Sequence, residues 1–415
     1  MKDKIVQWCE RIIEWSLYVL VFGVTFSNAI TEVAAGIAIT TWIFKKIINR
    51  EFKIVHTDLN YAIFGFFVVN LISLINVINT DYAFVSIKGF IGKITEYVLL
   101  YFVIVESIRT KKQFRNIIGV VLFTCLLIGI DGIFQKFFGF DFMRGRKIFG
   151  PTRLTASFKS PNHFGGWLSM VLPITMSLFL FGPKRRKWLR RAFGMLSTLL
   201  FICLLLAGSR AAWLGFVGAF LLMGVLKRQN LFLVSIVCIA LICILLLSFT
   251  LPEKLLGEMS SIFYVTKNTM MDRIILWKET LPMIKDRPLL GHGVNSFMSN
   301  WSNYGVGETF GHPYYPHNCY LHMTAETGLI GLGMFIWIII MLFKSTIKFL
   351  KKIKVKTEED SFYQAVGIGL LAGITACLIN SFVDNNLYVV LLATFFWVLL
   401  GLVNAEKRIY EDSIS

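Results

Sequence analysis

Long apolar stretches follow one another along almost the whole chain, separated by short polar or basic segments. A hydrocarbon core about 30 Å thick is crossed by roughly 20 apolar residues in a helix, so each stretch predicts a membrane-spanning helix. The pattern predicts an all-α polytopic membrane protein with about twelve transmembrane helices. These lie at about residues 12–27, 29–44, 59–77, 92–107, 116–138, 162–182, 193–208, 211–226, 231–250, 326–343, 362–383 and 387–404.

Composition agrees with this pattern. Of the 415 residues 56% are hydrophobic and only 16% are charged, whereas soluble proteins carry about 25% charged residues, so a water-soluble globular enzyme is excluded. The net charge of +17 would suit nucleic acid in a soluble protein. In a membrane protein it is better explained by basic cytoplasmic loops, and we expect no nucleic-acid partner. Seven scattered cysteines without a C-x-x-C predict neither a disulfide framework nor a zinc site.

Basic residues set the predicted orientation. With both termini in the cytoplasm, the cytoplasmic loops and termini hold 27 of the 42 Lys and Arg residues. The N-terminal apolar stretch is interpreted as a retained first span rather than a signal peptide. Residues 1–250 then form spans one to nine, residues 251–325 form a large external loop, and residues 326–415 form the last three spans and a cytoplasmic C-terminus.

The large loop is too long for a simple connection, so we expect it to be functional or folded. Apolar residues recur at helical spacing between Met270 and Pro282, and Asp272 suits a helix N-terminus. The spacing predicts an amphipathic helix lying over the external membrane face.

Five of the six histidines lie outside in this orientation, in or near external loops. They are His163, His292, His312, His317 and His322. For any one of them, an ordinary polar loop position is the simpler interpretation. The most distinctive pattern is His317-Asn318 followed after nine residues by Gly328-Leu-Ile-Gly331.

Together with GSR around Arg210, DRIILW around Arg273 and the RPLLGHG segment, this pattern resembles the O-antigen ligase and polymerase superfamily. The resemblance runs from about Arg153 to Gly333. It implies an integral-membrane glycosyltransferase without a cofactor that uses a polyprenyl-diphosphate-linked glycan, with functional positions at Arg210, Arg273 and His317. Asn318, Gly328 and Gly331 would support the site.

The residue chemistry favours the same assignment. Guanidinium groups bind phosphate oxygens bidentately, so Arg210 and Arg273 suit the diphosphate of a lipid-linked donor. As alternatives, Arg210 extends to lipid phosphate or Arg273 forms a surface ion pair. His317 is the predicted base for the acceptor hydroxyl. No Asp-x-Asp occurs, so we predict no metal, although a loop could still gather His312, His317 and His322 into a zinc site.

A second external element, RLTASFKSPNHFGGWL, opens the sixth span. Arg153 is predicted to contact the donor diphosphate, and Asn162 and His163 to support the substrate. The equally simple interpretation is that Ser160-Pro161-Asn162 only begins a helix. Aromatic residues in the large loop are candidates for sugar stacking or membrane anchoring; they are Trp301, Tyr304, Tyr314, Tyr315 and Tyr320.

The predicted function is transfer of a glycan from undecaprenyl diphosphate to a lipid A core sugar at the external face of the bacterial inner membrane. Two alternatives that differ in the acceptor stay open: a polysaccharide polymerase and a protein O-oligosaccharyltransferase. A twelve-span transporter is the alternative from a different class, although the chain shows no repeat symmetry between its halves.

Overall fold

The computed structural model describes residues 1–150, 153–227, 269–306 and 314–413. Within these ranges the chain is helical and forms no β-strand beyond two isolated bridges. The helices are α1 (Lys2–Gly23), α2 (Asn28–Asn49), α3 (Asn60–Ser73), α4 (Ala83–Gly89), α5 (Glu96–Ser107), α6 (Lys111–Phe138), α7 (Pro161–Phe181), α8 (Lys187–Ala207), α9 (Arg210–Lys227), α10 (Thr269–Asp286), α11 (Trp301–Tyr304), α12 (Cys319–Lys352), α13 (Glu358–Asn380) and α14 (Val390–Asp412).

Eight helices in the described residues are long and apolar enough to cross a membrane. They are α6 to α9, α12 to α14, and α3 with the 3-10 turn that follows it. The predicted all-α polytopic membrane protein is confirmed. The helices α1, α2 and α5 coincide with three further predicted spans but are shorter or more polar than these eight. The predicted ninth span, 231–250, lies outside the described residues, so the count of twelve stays a prediction.

Close helix contacts centre on α13, which packs against α7 and α9. Small residues permit this approach: a Cβ at Gly373 would lie 2.2 Å from the carbonyl oxygen of Met170, and one at Gly215 would lie 2.5 Å from that of Ala376. Helices in a membrane associate through such close van der Waals contact, because lipid supplies no hydrophobic driving force between them. The short turn from α13 to α14 and the turn from α8 to α9 are thereby fixed beside the start of α7.

The helix α12 begins at Cys319 rather than at residue 326, where the tenth span was predicted to start. It is broken at Gly328, whose φ of 69° lies in the left-handed region that glycine adopts readily. The segment 288–293 occupies this break: Leu329 N donates to Pro288 O at 2.8 Å, and Gly293 N donates to Glu326 O at 2.8 Å. The carbonyl freed by the break therefore finds a partner in the segment 288–293.

The predicted loop helix is present as α10, with Asp272 in its first turn. Its buried positions are Leu276, Thr280 and Met283, at the i, i+4, i+7 spacing of one helix face. Leu276 and Met283 form a small second core with Phe297, Val306 and Ala325. Leu281, predicted on the apolar face, is instead 43% exposed. The helix is held by this small core, and its predicted position over the membrane face stays a prediction.

Candidate functional site

Arg153 is held by the turn between α8 and α9. Its Nε donates to Ala207 O at 3.1 Å, and its Nη2 donates to Gly208 O at 3.1 Å and to Asn162 Oδ1 at 3.0 Å. Gly208 ends α8 with a left-handed φ of 63°, and a Cβ there would lie 3.2 Å from Arg153 Nε. The glycine of the GSR motif therefore permits both the turn and the approach of the guanidinium.

Arg210 is the first residue of α9, directly after that turn, so it lies beside Arg153. The positive charges of Arg153 and Arg273 both act on Arg210. Arg273 lies on α10, one helical turn before Trp277, whose Nε1 donates to Pro316 O at 2.8 Å. Because Pro316 precedes His317, this bond holds α10 and its arginine beside the histidine. Three predicted donor-binding arginines, from three separate segments, are thus brought together.

His317 has an unusual backbone, with a φ of 47°, and a side chain that is 30% exposed. Its Nδ1 lies 3.2 Å from Oδ1 of Asp384, in the turn between α13 and α14. Asp384 is 5% exposed, and its Oδ1 also accepts the backbone N–H of Asn385 at 2.8 Å. A residue in the left-handed region costs about 1–3 kcal/mol unless the surroundings hold it, and such residues cluster at functional sites.

Asp384 is the electrostatic centre of the site. Burial favours its neutral form, but the hydrogen bond from His317 and the charges of His317 and Arg273 hold the pKa of Asp384 below its usual value. Its negative charge acts in turn on Arg153 and His163. Burial lowers the pKa of Arg153 from its very high normal value, which leaves the guanidinium charged. Three guanidinium groups and one carboxylate give the cluster a net charge of about +2.

Three predicted support residues have identifiable structural roles. Asn318 caps α12, because its Oδ1 accepts the backbone N–H groups of Tyr320 at 2.9 Å and Leu321 at 3.0 Å. Gly328 and Gly331 lie at the break in α12: a Cβ at Gly328 would lie 2.0 Å from Leu289 O, and one at Gly331 would lie 2.1 Å from Thr327 Oγ1. In the His-Asn-x9-Gly-x-x-Gly pattern, His317 is therefore the candidate base and Asn318 is a helix cap. The two glycines form the break in α12 against which the segment 288–293 packs.

A second histidine and carboxylate form a buried pair one turn into α12. His322 Nε2 lies 3.3 Å from Glu326 Oε1, which also accepts the backbone N–H of Phe297 at 3.1 Å. The ring of His322 stacks on Tyr388 with centroids 3.5 Å apart. This pair joins the start of α12 to the loop around Phe297 on one side and to the 381–389 turn on the other. It therefore supports the elements that carry His317 and Asp384.

The remaining predictions concern His163 and a possible metal site. His163 lies in the first turn of α7, where Ser160 caps the helix by accepting the backbone N–H of His163 at 3.2 Å, so the helix-start interpretation is correct. The charges of Asp384 and His317 also reach His163, which places it at the site as well. The structure does not describe His312. Within the described ranges, no group of three or more His, Cys, Asp or Glu residues could hold a metal ion.

Asp384 was missed by the sequence analysis. The predicted spans 362–383 and 387–404 leave only three residues between them, and these are Asp384-Asn385-Asn386. A run of three polar residues in a short turn on the predicted external side was the available signal.

Residues 195–336 match the family model described as O-antigen ligase. This range contains Arg210, Arg273 and His317 in the arrangement described above. This part of the chain is therefore similar to the O-antigen ligase family. A protein of Rickettsia conorii, provisionally named a polysaccharide ligase, is 25% identical over 226 residues, which cover 52% of this chain and 49% of the relative. The chain thus spans about half the length of that relative. Arg153 and Asp384 fall outside the matched range, so their place in the site rests on the geometry of this protein alone.

Proposed function

We propose that the protein is a membrane glycosyltransferase that moves a glycan from an undecaprenyl-diphosphate carrier to an acceptor hydroxyl. The site would face the external side of the bacterial inner membrane, and the acceptor we favour is a lipid A core sugar. The observation that carries this proposal is the convergence of Arg153, Arg210 and Arg273 beside the His317–Asp384 pair. A cationic cluster next to a histidine–carboxylate pair suits a reaction with an anionic leaving group and a hydroxyl nucleophile.

The arginines would bind the diphosphate. A net charge of about +2 matches a doubly negative ligand, and each charge-assisted hydrogen bond contributes roughly 1.5–3 kcal/mol. The Nε and Nη2 groups of Arg153 donate hydrogen bonds to the α8–α9 turn and to Asn162, so Nη1 is the nitrogen that we assign to phosphate. Neutralising the diphosphate makes it a good leaving group, so the reaction needs no strong general acid.

His317 would act as the base. An ionised Asp384 can only accept hydrogen bonds, so Nδ1 of His317 donates and Nε2 keeps its lone pair for the acceptor hydroxyl. In the reaction, Nε2 takes the hydroxyl proton as the acceptor oxygen attacks the anomeric carbon. The bond from that carbon to the diphosphate oxygen breaks, and the electron pair leaves with the diphosphate. A single displacement of this kind inverts the anomeric configuration.

The test is turnover by purified protein in detergent, with a synthetic undecaprenyl-diphosphate glycan and separate candidate acceptors. The expected result is glycan transfer to a lipid A core sugar with inversion, without any ion gradient. Transfer to a second polyprenyl-linked glycan would indicate a polymerase, and transfer to a serine- or threonine-containing peptide a protein O-oligosaccharyltransferase. A second assay uses the protein reconstituted in sealed vesicles: donor transport there, without transfer to any acceptor in either assay, would contradict the enzyme proposal and favour the transporter.

A further inference from the structure

The end of α6 and the loop after it, residues 136–149, form a surface that the proposed reaction does not use; we call it the aromatic hairpin. It is closed by a bridge between Phe140 and Lys147. The helix α6 begins with Lys111, Lys112 and Arg115, and the next basic residue along it is Lys136. At 1.5 Å per residue, Arg115 and Lys136 lie about 30 Å apart, which is the thickness of a hydrocarbon core. The hairpin therefore begins at the level of the lipid headgroups.

Five phenylalanine side chains of the hairpin are exposed in the described part of the protein. Phe137 is 80% exposed and Phe149 is 53% exposed; the others are Phe138, Phe140 and Phe142. Three of the five, Phe138, Phe140 and Phe142, surround Phe134 with ring centroids 4.3–5.6 Å apart. Exposed aromatic rings at the end of a span are typical of side chains that sit in the membrane interface.

The charged side chains of the hairpin make this surface cationic. Lys136, Arg144 and Lys147 are exposed. The only acidic residue of the hairpin is Asp141, which is fully buried and whose carboxylate accepts the backbone N–H groups of Arg144 and Arg146, both at 2.6 Å. Asp141 thus stabilises the turn, and the surface presents phenylalanine rings interleaved with positive charges.

We propose that the aromatic hairpin binds anionic phospholipid at the membrane interface. The phenylalanine rings enter the boundary between headgroups and acyl chains, and Lys136, Arg144 and Lys147 pair with the headgroup phosphates. Charge complementarity selects this ligand, because a cationic aromatic surface at headgroup depth gains more from anionic than from zwitterionic lipid. This binding does not depend on the proposed function.

The hairpin is joined directly to the arginine cluster. Phe149 and Arg153 exchange both backbone hydrogen bonds, at 3.1 and 3.2 Å, and the next residue, Leu154, donates to Leu206 O at 3.1 Å. Lipid that holds the hairpin therefore also holds the segment that carries Arg153. If the proposed function is correct, activity rises with the anionic fraction of the membrane; this consequence alone rests on that function.

The test is hydrogen–deuterium exchange of the full chain in nanodiscs of phosphatidylcholine with or without phosphatidylglycerol, without donor. We expect slower exchange of residues 139–149 in the presence of phosphatidylglycerol, and loss of this difference at high salt. The double variant Lys136→Gln/Lys147→Gln should remove most of the difference in exchange between the two lipids, since each lysine near an anionic surface contributes about a fivefold change in affinity. Phe137→Ser should weaken protection in both lipids. The matched control, Lys88→Gln with Lys285→Gln, removes two exposed lysines elsewhere.

Equal exchange in the two lipids would overturn the proposal, as would an equal effect of the control pair. Protection that appears only after a polyprenyl diphosphate is added would also overturn it and would assign the hairpin to the donor site. A thermal unfolding scan in detergent checks that each variant folds. If the lysine variant does not fold, Phe137→Ser still tests whether the hairpin contacts lipid. Failure of the transferase assay leaves the lipid result unaffected, so the two proposals are separable.

Discussion

Nδ1 of His317 lies 3.2 Å from Oδ1 of Asp384, although the two residues are 67 positions apart in the sequence. They meet because the backbone of Cys319, at the start of α12, donates to Ser381 O at 2.9 Å, which fixes the turn after α13 against the helix that follows His317. The carboxylate sets the tautomer of the histidine, and the same carboxylate lies within reach of the arginine charges. The proposed base and the proposed anion-binding arginines thus share one carboxylate.

The first prediction concerns Asp384→Asn. This change removes the charge that stabilises a protonated His317, so we expect kcat to fall by about 10²- to 10⁴-fold. Donor binding should be unchanged or tighter, because the cluster becomes more positive. Steady-state kinetics with separate donor-binding measurements test this, with exposed Asp81→Asn as the matched control. Weaker donor binding at unchanged kcat would contradict the positioning role.

The second prediction concerns the arginines. Arg210→Lys and Arg153→Lys keep the charge but replace a planar fork by a single ammonium, so each should weaken donor binding by about 10- to 150-fold, the equivalent of one charge-assisted hydrogen bond. Arg153→Lys also loses the contacts to Gly208 and Asn162. Binding of a labelled polyprenyl diphosphate measures the effect, and Arg287→Lys, at an exposed position just after α10, serves as control. Donor affinity equal to that of the unmodified protein in both variants would remove the arginines from the donor site.

The third prediction tests the break in α12. Gly328→Ala requires a left-handed backbone and places a Cβ against Leu289 O, so we expect a marked fall in unfolding temperature and loss of activity. Gly333→Ala, on the same helix and with no heavy atom within 4 Å of the added Cβ, should leave stability unchanged or raise it by up to about 1 kcal/mol. Thermal unfolding in detergent compares the two. Equal stability of both variants would show that the docked segment 288–293 contributes little.

The fourth prediction concerns the stack of Tyr388 on His322. Tyr388→Phe keeps the ring over the imidazole, whereas Tyr388→Ala removes it and frees the turn that carries Asp384. We expect Tyr388→Ala to lower kcat by at least tenfold more than Tyr388→Phe, with donor binding similar in both. The same kinetic assay separates them. Equal activity of the two variants would mean that the stack does not position the His317–Asp384 pair.

Periodicity predicted most of the membrane helices, because a span is a local property of about 20 residues. The candidate residues Arg210, Arg273 and His317 came instead from the resemblance of their motifs and from residue chemistry, and Arg153 from the polar segment before the sixth span; their roles stay predictions. The sequence alone could not decide whether Asn318 and Gly328 contact substrate or support the fold. In the structure Asn318 accepts the backbone N–H of Tyr320 as a helix cap, and Gly328 admits the segment 288–293 into the helix break. The polar turn 384–386 was a local signal for Asp384, but its pairing with His317 is a contact across 67 residues, which no local pattern encodes.

The last prediction is that turnover does not require a divalent metal. The diphosphate of the bound donor carries a charge of about −2, and the three arginines less Asp384 supply about +2. The further negative charge that forms as the bond to the sugar breaks is matched by the proton that His317 takes up, so a metal ion is not needed to neutralise it. Among the described residues, no group of three or more His, Cys, Asp or Glu side chains could hold a metal ion. Activity should therefore survive EDTA, and EDTA preloaded with magnesium is the control for effects of the chelator itself. If EDTA abolishes transfer and one divalent ion restores it, the arginines do not suffice, and His312, outside the described residues, becomes the first candidate ligand to substitute.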